Sequence, residues 1–254
     1  SGLRAMCSMK HVGVNVASDA IMVANYAGVE GGLVIISADD PFGHSSQNEQ
    51  DNRMFAKFAE LPCLEPANPQ EAKDSVVIGC ELSEKCKLPV IVRSLTRLSH
   101  VRGDVELGPL PKEKRKPNLK REITYTGFPA ADHHKLLHER LASIRDDLEK
   151  VPFNRLEARG GERLGIVACG IGYNYAKEAL KLLNVKDGEV AVLKLGVPHP
   201  LPKKLVGDFL KTYDKIYVVE DGFPFVEEQL KVMCYDLGVH PEIFGKLTGH
   251  LPME

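Results

Sequence analysis

Between residues 38 and 53 the chain reads ADDPFGHSSQNEQDNR, which packs one imidazole (His44), two hydroxyls (Ser45, Ser46), three amides (Gln47, Asn48, Gln50) and a carboxylate (Glu49) into seven consecutive positions. The run directly follows LVIIS, an unbroken apolar stretch of the kind that forms a strand buried on both faces of a parallel sheet. Loops at the carboxyl ends of such strands are where open α/β sheets hold their ligands. So many directed donors and acceptors suit a polar small molecule, and amides at a following helix start suit an anionic group. Lys10 and His11 end the preceding strand and should reach the same edge, where a cation and an imidazole suit a carboxylate-bearing substrate. A plainer local reading makes Ser46 and Glu49 a capping box for the helix that carries Met54, Phe55 and Phe58. It accounts for two residues and leaves the others without a role.

Other candidate chemistry is weaker. Gly170-Ile171-Gly172, with Ala176 beyond, lies between an apolar strand and a helix, where a dinucleotide-binding turn belongs. The next strand, EVAVLKLG, ends at Lys194 and Leu195 instead of an acid to hold a ribose, so a tight βα turn is the preferred reading. His133, His134 and His138 include a spacing of four that sets two imidazoles on one helix face; no further ligand is obvious, and a surface cluster without metal is expected. Glu220-Asp221-Gly222 ends another apolar strand and reads equally as a ligand edge or a polar turn. Cys7, Cys63, Cys80, Cys86, Cys169 and Cys234 are scattered without a Cys-x-x-Cys pair and read as reduced thiols, mostly in cores.

The elements that must carry these groups fall into three segments. Residues 3 to about 100 alternate apolar runs with helical stretches (RAMCSM, 16–27, GGLVIISA, a helix through 59, PCLEP, a helix over 70–86, PVIVRSLTR), which implies a parallel sheet covered on both faces. The stretch 16–27 is apolar nearly all round and should be buried. Residues 100 to about 161 hold PLPKEKRKPNLKRE, read as a solvated charged run, and one charged surface helix. From 163 the alternation resumes as a second, smaller α/β unit. The 254 residues are 43% hydrophobic and 27% charged, with a net charge of −2. That balance gives no electrostatic case for nucleic acid or a membrane surface, no run approaches the ~20 apolar residues of a membrane helix, and a cytoplasmic location is expected.

SMKHVGVNVASD, GGLVIISADDPFGHSSQNEQDNRMFAKFAELPCLEP, PFNRLE, GIGYNYAKEAL and KIYVVEDGFPFVEEQLK together resemble the alpha subunit of indolepyruvate ferredoxin oxidoreductase, a thiamine-diphosphate-dependent 2-oxoacid oxidoreductase, along essentially the whole chain. The resemblance implies an α/β protein with two parallel-sheet domains: residues 1–100 as the later part of the pyrimidine-binding domain, 101–155 as a connecting arm, and 156–254 as a transketolase-carboxyl-terminal-like domain. It implies oxidative decarboxylation of an aryl pyruvate to an aryl-acetyl coenzyme A, with thiamine diphosphate and Mg2+ as cofactors, electrons passing through iron–sulfur clusters to ferredoxin, a beta subunit as partner, and an oligomer. By the same analogy Lys10 or His11 pairs with the substrate carboxylate, and His44 exchanges a proton. Ser45, Gln47 and Asn48 orient, and Asn15, Ser46 and Glu49 also face substrate or cofactor.

The chain departs from that pattern as well. The ring-activating glutamate would lie upstream of Ser1, and neither a Gly-Asp-Gly motif for diphosphate and magnesium nor clustered cysteines are found. The chain is therefore expected to be a piece of a longer subunit, inactive alone. The competing expectations are a non-catalytic scaffold or subunit-interaction module of the same fold, and a related oxidoreductase acting on another 2-oxoacid.

Overall fold

Unbroken apolar runs become central strands here, because a strand covered by helices on both faces has no polar side to show. The computed structural model describes residues 2–109, 116–117 and 130–253, so the basic run at 109–122 falls largely outside the described residues. The first sheet and its helices are β1 (Ala5–Lys10), α1 (His11–Val16), α2 (Ser18–Ala27), β2 (Leu33–Asp39), α3 (Asn52–Phe58), β3 (Cys63–Leu64), α4 (Pro69–Cys86), β4 (Val90–Leu95) and α5 (Thr96–Ser99). Then come α6 (Ala130–Ser143), α7 (Arg145–Glu149), β5 (Arg155–Glu157), β6 (Leu164–Cys169), α8 (Gly172–Leu182), β7 (Val190–Leu195), α9 (Lys203–Thr212), β8 (Lys215–Val219), α10 (Phe225–Leu237) and β9 (Glu242–Phe244).

Two mostly parallel sheets result, ordered β1-β2-β4-β3 and β5-β7-β6-β8-β9. The register of β2 against β1 sets Lys10 beside Ala38, and its register against β4 sets Asp39 beside Leu95. The carboxyl ends of these three strands therefore form one rim, from which the loop after Asp39, the start of α1 and the start of α5 all emerge. In the second sheet only β5 runs antiparallel, against β7, a strand the reading of uniformly parallel strands did not foresee.

Local chemistry fixes the helix that spaces β3 from β4. Asn68 caps α4 by accepting from the Glu71 amide at 2.9 Å, Pro69 occupies its first position, and Lys87 ends it in the left-handed conformation at φ 60°. The stretch 16–27 differs from expectation. It breaks into α1 and α2 at Ala17, and in α2 only Ile21 and Asn25 are buried, while Val16 and Val23 are exposed. Among the described residues α2 packs chiefly on α6 and α1, and Asn25 donates to the carbonyl of Ala59. The first core also takes in Leu137, Ile144, Leu148, Val151 and Phe153 from the segment after Ala130, which fastens that segment to the first sheet. No described helix is long and apolar enough to cross a membrane.

Candidate functional site

The polar loop leaves β2 in an unusual backbone conformation. Phe42, Gly43 and His44 have φ of 69°, 66° and 42°, so two residues with side chains sit in the left-handed region that disfavours them. Tight turns hold them there: the amides of Gly43, His44 and Ser46 donate to Asp40 O, Phe42 O and Gly43 O at 2.9, 2.7 and 2.6 Å. Strain of this kind persists only where the surroundings over-determine it, and it gathers at ligand-binding segments.

Lys10, His11 and the loop do share the rim. Lys10 Nζ lies 3.0 Å from Asp40 Oδ2, and Thr96 Oγ1 donates to Asp40 Oδ1 at 2.6 Å. Partial burial works the other way, yet Thr96 and Lys10 hold the Asp40 carboxyl below its ordinary value. His11 is fully buried beneath the loop. Its Nε2 lies 3.1 Å from the carbonyl of Asn48, which can only accept, so Nε2 carries the proton and donates; Ser46 Oγ is 3.4 Å away. Its Nδ1 is buried with no partner. His44, Ser45, Gln47, Asn48 and Glu49 are exposed along the loop, and Asn15 is exposed on α1.

The capping box is corrected. Ser46 and Glu49 precede the helix by several residues, and the cap of α3 is Asp51, whose side chain accepts from the Arg53 amide at 3.1 Å. Asp51 wins because Asn52 is already held on the rim, its amide donating to Asp39 Oδ2 at 2.9 Å and its side chain to Ser37 Oγ at 2.7 Å.

Behind this loop lies a buried charge cluster that joins the two sheets. Arg53 donates to Asp51, to Glu220 Oε2 at 2.7 Å and to the carbonyls of Asp221 and Phe223 at 2.7 and 2.9 Å. Arg93 donates to Asp39 Oδ2 at 2.7 Å and Glu65 Oε2 at 3.0 Å, and also reaches the Asp221 carbonyl. Burial opposes ionisation of Asp51, but Arg53 and Arg93 hold its carboxyl well below the usual range. Burial pushes the Glu220 carboxyl up, against the pull of Arg53 and of the Val226 and Glu227 amides that cap α10 through it.

This cluster accounts for the tight turn at Gly170 and for the edge at Glu220-Asp221-Gly222 that the sequence left open. A Cβ on Gly170 would meet Glu65 Oε1 at 2.4 Å, and one on Gly222 would meet Asp51 Oδ2 at 2.7 Å. Both positions also have positive φ. The glycines let the second sheet's turns close on the charge cluster, and Glu220-Asp221 is part of the seam. Lys194, at the end of β7, pairs with Glu71 across the same seam.

Sequence reading missed Arg53, Arg93, Glu65 and Arg97. For Arg93 and Glu65 the available signal was charge inside apolar extended segments, in PVIVRSL and LPCLEP, since buried charges must be paired; Arg53 and Arg97 lie outside such segments. Arg97, half-exposed on α5, donates to Tyr175 OH at 2.6 Å and lies over the Phe42 and Tyr175 rings at 5.1 and 5.4 Å. It therefore bridges the strained loop and the start of α8.

For a thiamine-type cofactor, the rim fits as one hydrogen-bonding wall: it holds the unpartnered Nδ1 of His11 and the exposed polar loop. Asp39, Asp40 and Asp51 do not suit its magnesium, since each is already committed to a cation of the protein. A cavity of about 880 Å³ lined by Glu157, Tyr173, Lys177 and Val192 shares no residue with the loop. Although partial burial opposes it, Lys177, Tyr173 and Arg155 hold Glu157 there down to about 2.

Two mostly parallel sheets flanked by helices and joined through buried ion pairs make this an α/β protein of two sheets. Among solved structures, 2-oxoglutarate:ferredoxin oxidoreductase from Magnetococcus marinus with 2-oxoglutarate, coenzyme A and succinyl-CoA bound superposes with a TM-score of 0.63 at 17% identity, covering 94% of this chain and 49% of that one. An inactive beta4 tetramer of a split-gene transketolase gives 0.58 at 14% identity, covering 94% and 65%. These likenesses concern the fold alone.

Residues 154–252 match the family model of the indolepyruvate oxidoreductase domain. The chain is 49% identical to indolepyruvate oxidoreductase subunit IorA of Thermococcus kodakarensis over 97% of its own length and 39% of that protein's. Against IorA of Archaeoglobus fulgidus it is 45% identical over 100% and 40%. Across nearly its whole length the chain is thus similar to IorA subunits, and it spans about two fifths of their length.

Proposed function

We propose that the chain is part of a thiamine-diphosphate-dependent oxidoreductase that oxidatively decarboxylates aryl pyruvates of the indolepyruvate type to aryl-acetyl coenzyme A. Ferredoxin would take the electrons through iron–sulfur clusters carried outside this chain, and a beta subunit would complete the enzyme. On this reading residues 1–100 are the later part of a pyrimidine-binding domain, 101–155 a connecting arm and 156–254 a transketolase-carboxyl-terminal-like domain. The observation that carries the proposal is the 49% identity to an IorA subunit over 97% of the chain.

When bound, thiamine diphosphate would supply the electron sink that decarboxylation of a 2-oxoacid requires. The chain's own residues position the reactants. His11, buried and bonded to the Asn48 carbonyl, holds the loop in place. Lys10 is paired with Asp40 at 3.0 Å and Arg97 only loosely with Asp221 at 3.9 Å, so Arg97 shares the task of meeting the substrate carboxylate, its planar fork suited to that geometry. The Phe42 and Tyr175 rings beside Arg97 give an aryl group an apolar, aromatic surface. His44, exposed on the strained turn, exchanges a proton with the reacting group, while Ser45, Gln47, Asn48 and Asn15 orient it.

The test is steady-state turnover of the full-length subunit assembled with its beta partner, with indolepyruvate, phenylpyruvate and pyruvate side by side. His44→Ala should lower kcat at least about 100-fold, the lower bound for loss of a general acid–base group. Arg97→Met should mainly raise KM, and indolepyruvate should give the highest kcat/KM. Unchanged kcat in the first variant together with unchanged KM in the second would reject these roles and favour a scaffold.

A further inference from the structure

We propose that Glu60, His134 and His138 form a binding site for one divalent transition-metal ion, with two imidazole nitrogens and one carboxylate as ligands. The three come from distant parts of the chain. Glu60 follows α3, and the histidines stand one turn apart on α6, the spacing that sets two side chains on one helix face. Their ligand atoms all lie within 4.8 Å of one another. The third ligand that the sequence could not supply is thus brought in by packing.

The two imidazoles close on opposite oxygens of one carboxylate. His134 Nε2 lies 2.9 Å from Glu60 Oε1, and His138 Nε2 lies 2.7 Å from Glu60 Oε2. In a tetrahedral complex with bonds of about 2.0–2.1 Å, ligand atoms stand roughly 3.4 Å apart. Small rotations of the three side chains bring one oxygen of Glu60 and both Nε2 atoms to that spacing, and the ion replaces any proton between ring and carboxylate. The side chains have room to do this, being 44%, 57% and 30% exposed for His134, His138 and Glu60. The open side leaves the fourth position to water.

The site is also held in place. Tyr26 stacks on the His134 ring at 5.3 Å between centroids and 20° between planes, and the two imidazoles lie 4.5 Å apart. Glu60 is in the left-handed backbone region at φ 54°, and the carbonyl of Ala59 just before it accepts from the buried Asn25 side chain. Two imidazoles with one carboxylate select zinc, cobalt or nickel over magnesium and calcium, which prefer all-oxygen shells. A bound ion would tie α6 to the end of α3, the helix that carries Arg53.

The experiment is titration of the full chain, without a histidine tag and stripped of metal, with Co2+ followed by visible absorption and with Zn2+ followed by calorimetry and Tm. Expected are one equivalent of each ion, ligand-field bands of a nitrogen–oxygen site, a Tm rise that saturates at one zinc, and no response to Mg2+. Losing an outer-shell partner alone weakens metal sites roughly 10–100-fold, so His138→Asn and Glu60→Gln should each cost at least about tenfold in affinity. The metal-free Tm of His138→Asn should match the parent, because its ring is mostly exposed. Absence of cobalt bands, a thiolate charge-transfer band assigning the ion to cysteine, or parent-like binding in either variant would overturn the proposal.

Discussion

His199 sits where the two sheets meet. Its carbonyl accepts from the Cys63 amide at 2.7 Å, its ring stands edge-on to Phe225 at 6.4 Å, and its Nδ1 is buried without a partner. Burial first, and then the nearby Lys57 charge, pushes the imidazole down to about 4, with Glu60 pulling weakly the other way. An unfolded chain would bind that proton at about 6.5, so between pH 6.5 and 4 the unfolded state holds more protons than the folded one and stability falls as the solution is acidified. At 1.36 kcal/mol per pKa unit the full effect is about 3 kcal/mol, present above pH 6.5 and lost through pH 4. Replacing His199 by Leu removes the group without orphaning a hydrogen bond of its ring. Urea unfolding at pH 7 and pH 4.5 should therefore show the parent losing about 2–3 kcal/mol more than His199→Leu across that interval. Equal losses would mean that His199 is not held neutral by the seam.

At the scale of elements, the start of α3 decides how the polar loop is used. If Asp51 is the cap and Ser46 is loop, Ser46→Ala should leave stability within about 0.5 kcal/mol of the parent, as for an ordinary surface change. Asp51→Ala should cost more than the ~0.5–2 kcal/mol of a lost cap, since it also strips a carboxylate from Arg53 and Arg93. A chemical denaturation series on both variants checks the order, and a reversed order would restore the capping box. The sequence made the parallel strands legible because burial on both faces demands unbroken apolar runs, as in LVIIS and PVIV. It made α4 legible as a long helical stretch at 70–86, to which Asn68 and Pro69 add a local start, while the left-handed end at Lys87 carries no signal in the residue type. It could not show which of several acids caps α3, because Asn52 is pinned by Asp39 and Ser37, residues that reach it only through the folded sheet. Nor could it show that the 16–27 stretch is half-exposed, since its composition is that of a buried helix. The rim was legible in part: strand polarity alone puts Lys10, His11 and the 44–49 loop at one edge. That His11 lies beneath the loop, and that Arg97 stands between Phe42 and Tyr175, depends on contacts no local pattern encodes.

At the scale of the whole molecule, the question is what makes two sheets one body. Two guanidiniums, Arg53 and Arg93, face four carboxylates, Asp39, Asp51, Glu65 and Glu220, in a buried seam. Negative charge is in excess, so the cations are the scarce partners and their loss should hurt most. Arg53→Met strands Glu220 in the interior and leaves Asp51 to Arg93 alone, and breaking a buried pair in this way costs about 3–5 kcal/mol. Adding Glu220→Met to that variant removes the stranded charge and fills the space with an apolar chain, so the double variant should be less destabilised than the two single losses summed. Because Arg53 belongs to the first sheet and Glu220 to the second, the shortfall measures coupling across the seam and should exceed about 1.5 kcal/mol for groups in direct contact. Limited proteolysis supplies the matching readout: Arg53→Met should expose cleavage sites at the sheet junction under conditions where the parent stays intact, with partial protection regained in the double variant. Strict additivity in the double-mutant cycle, with no change in cleavage, would show that the backbone bridges from Cys63 to His199 and from Glu65 to Gly196 suffice to hold the sheets together.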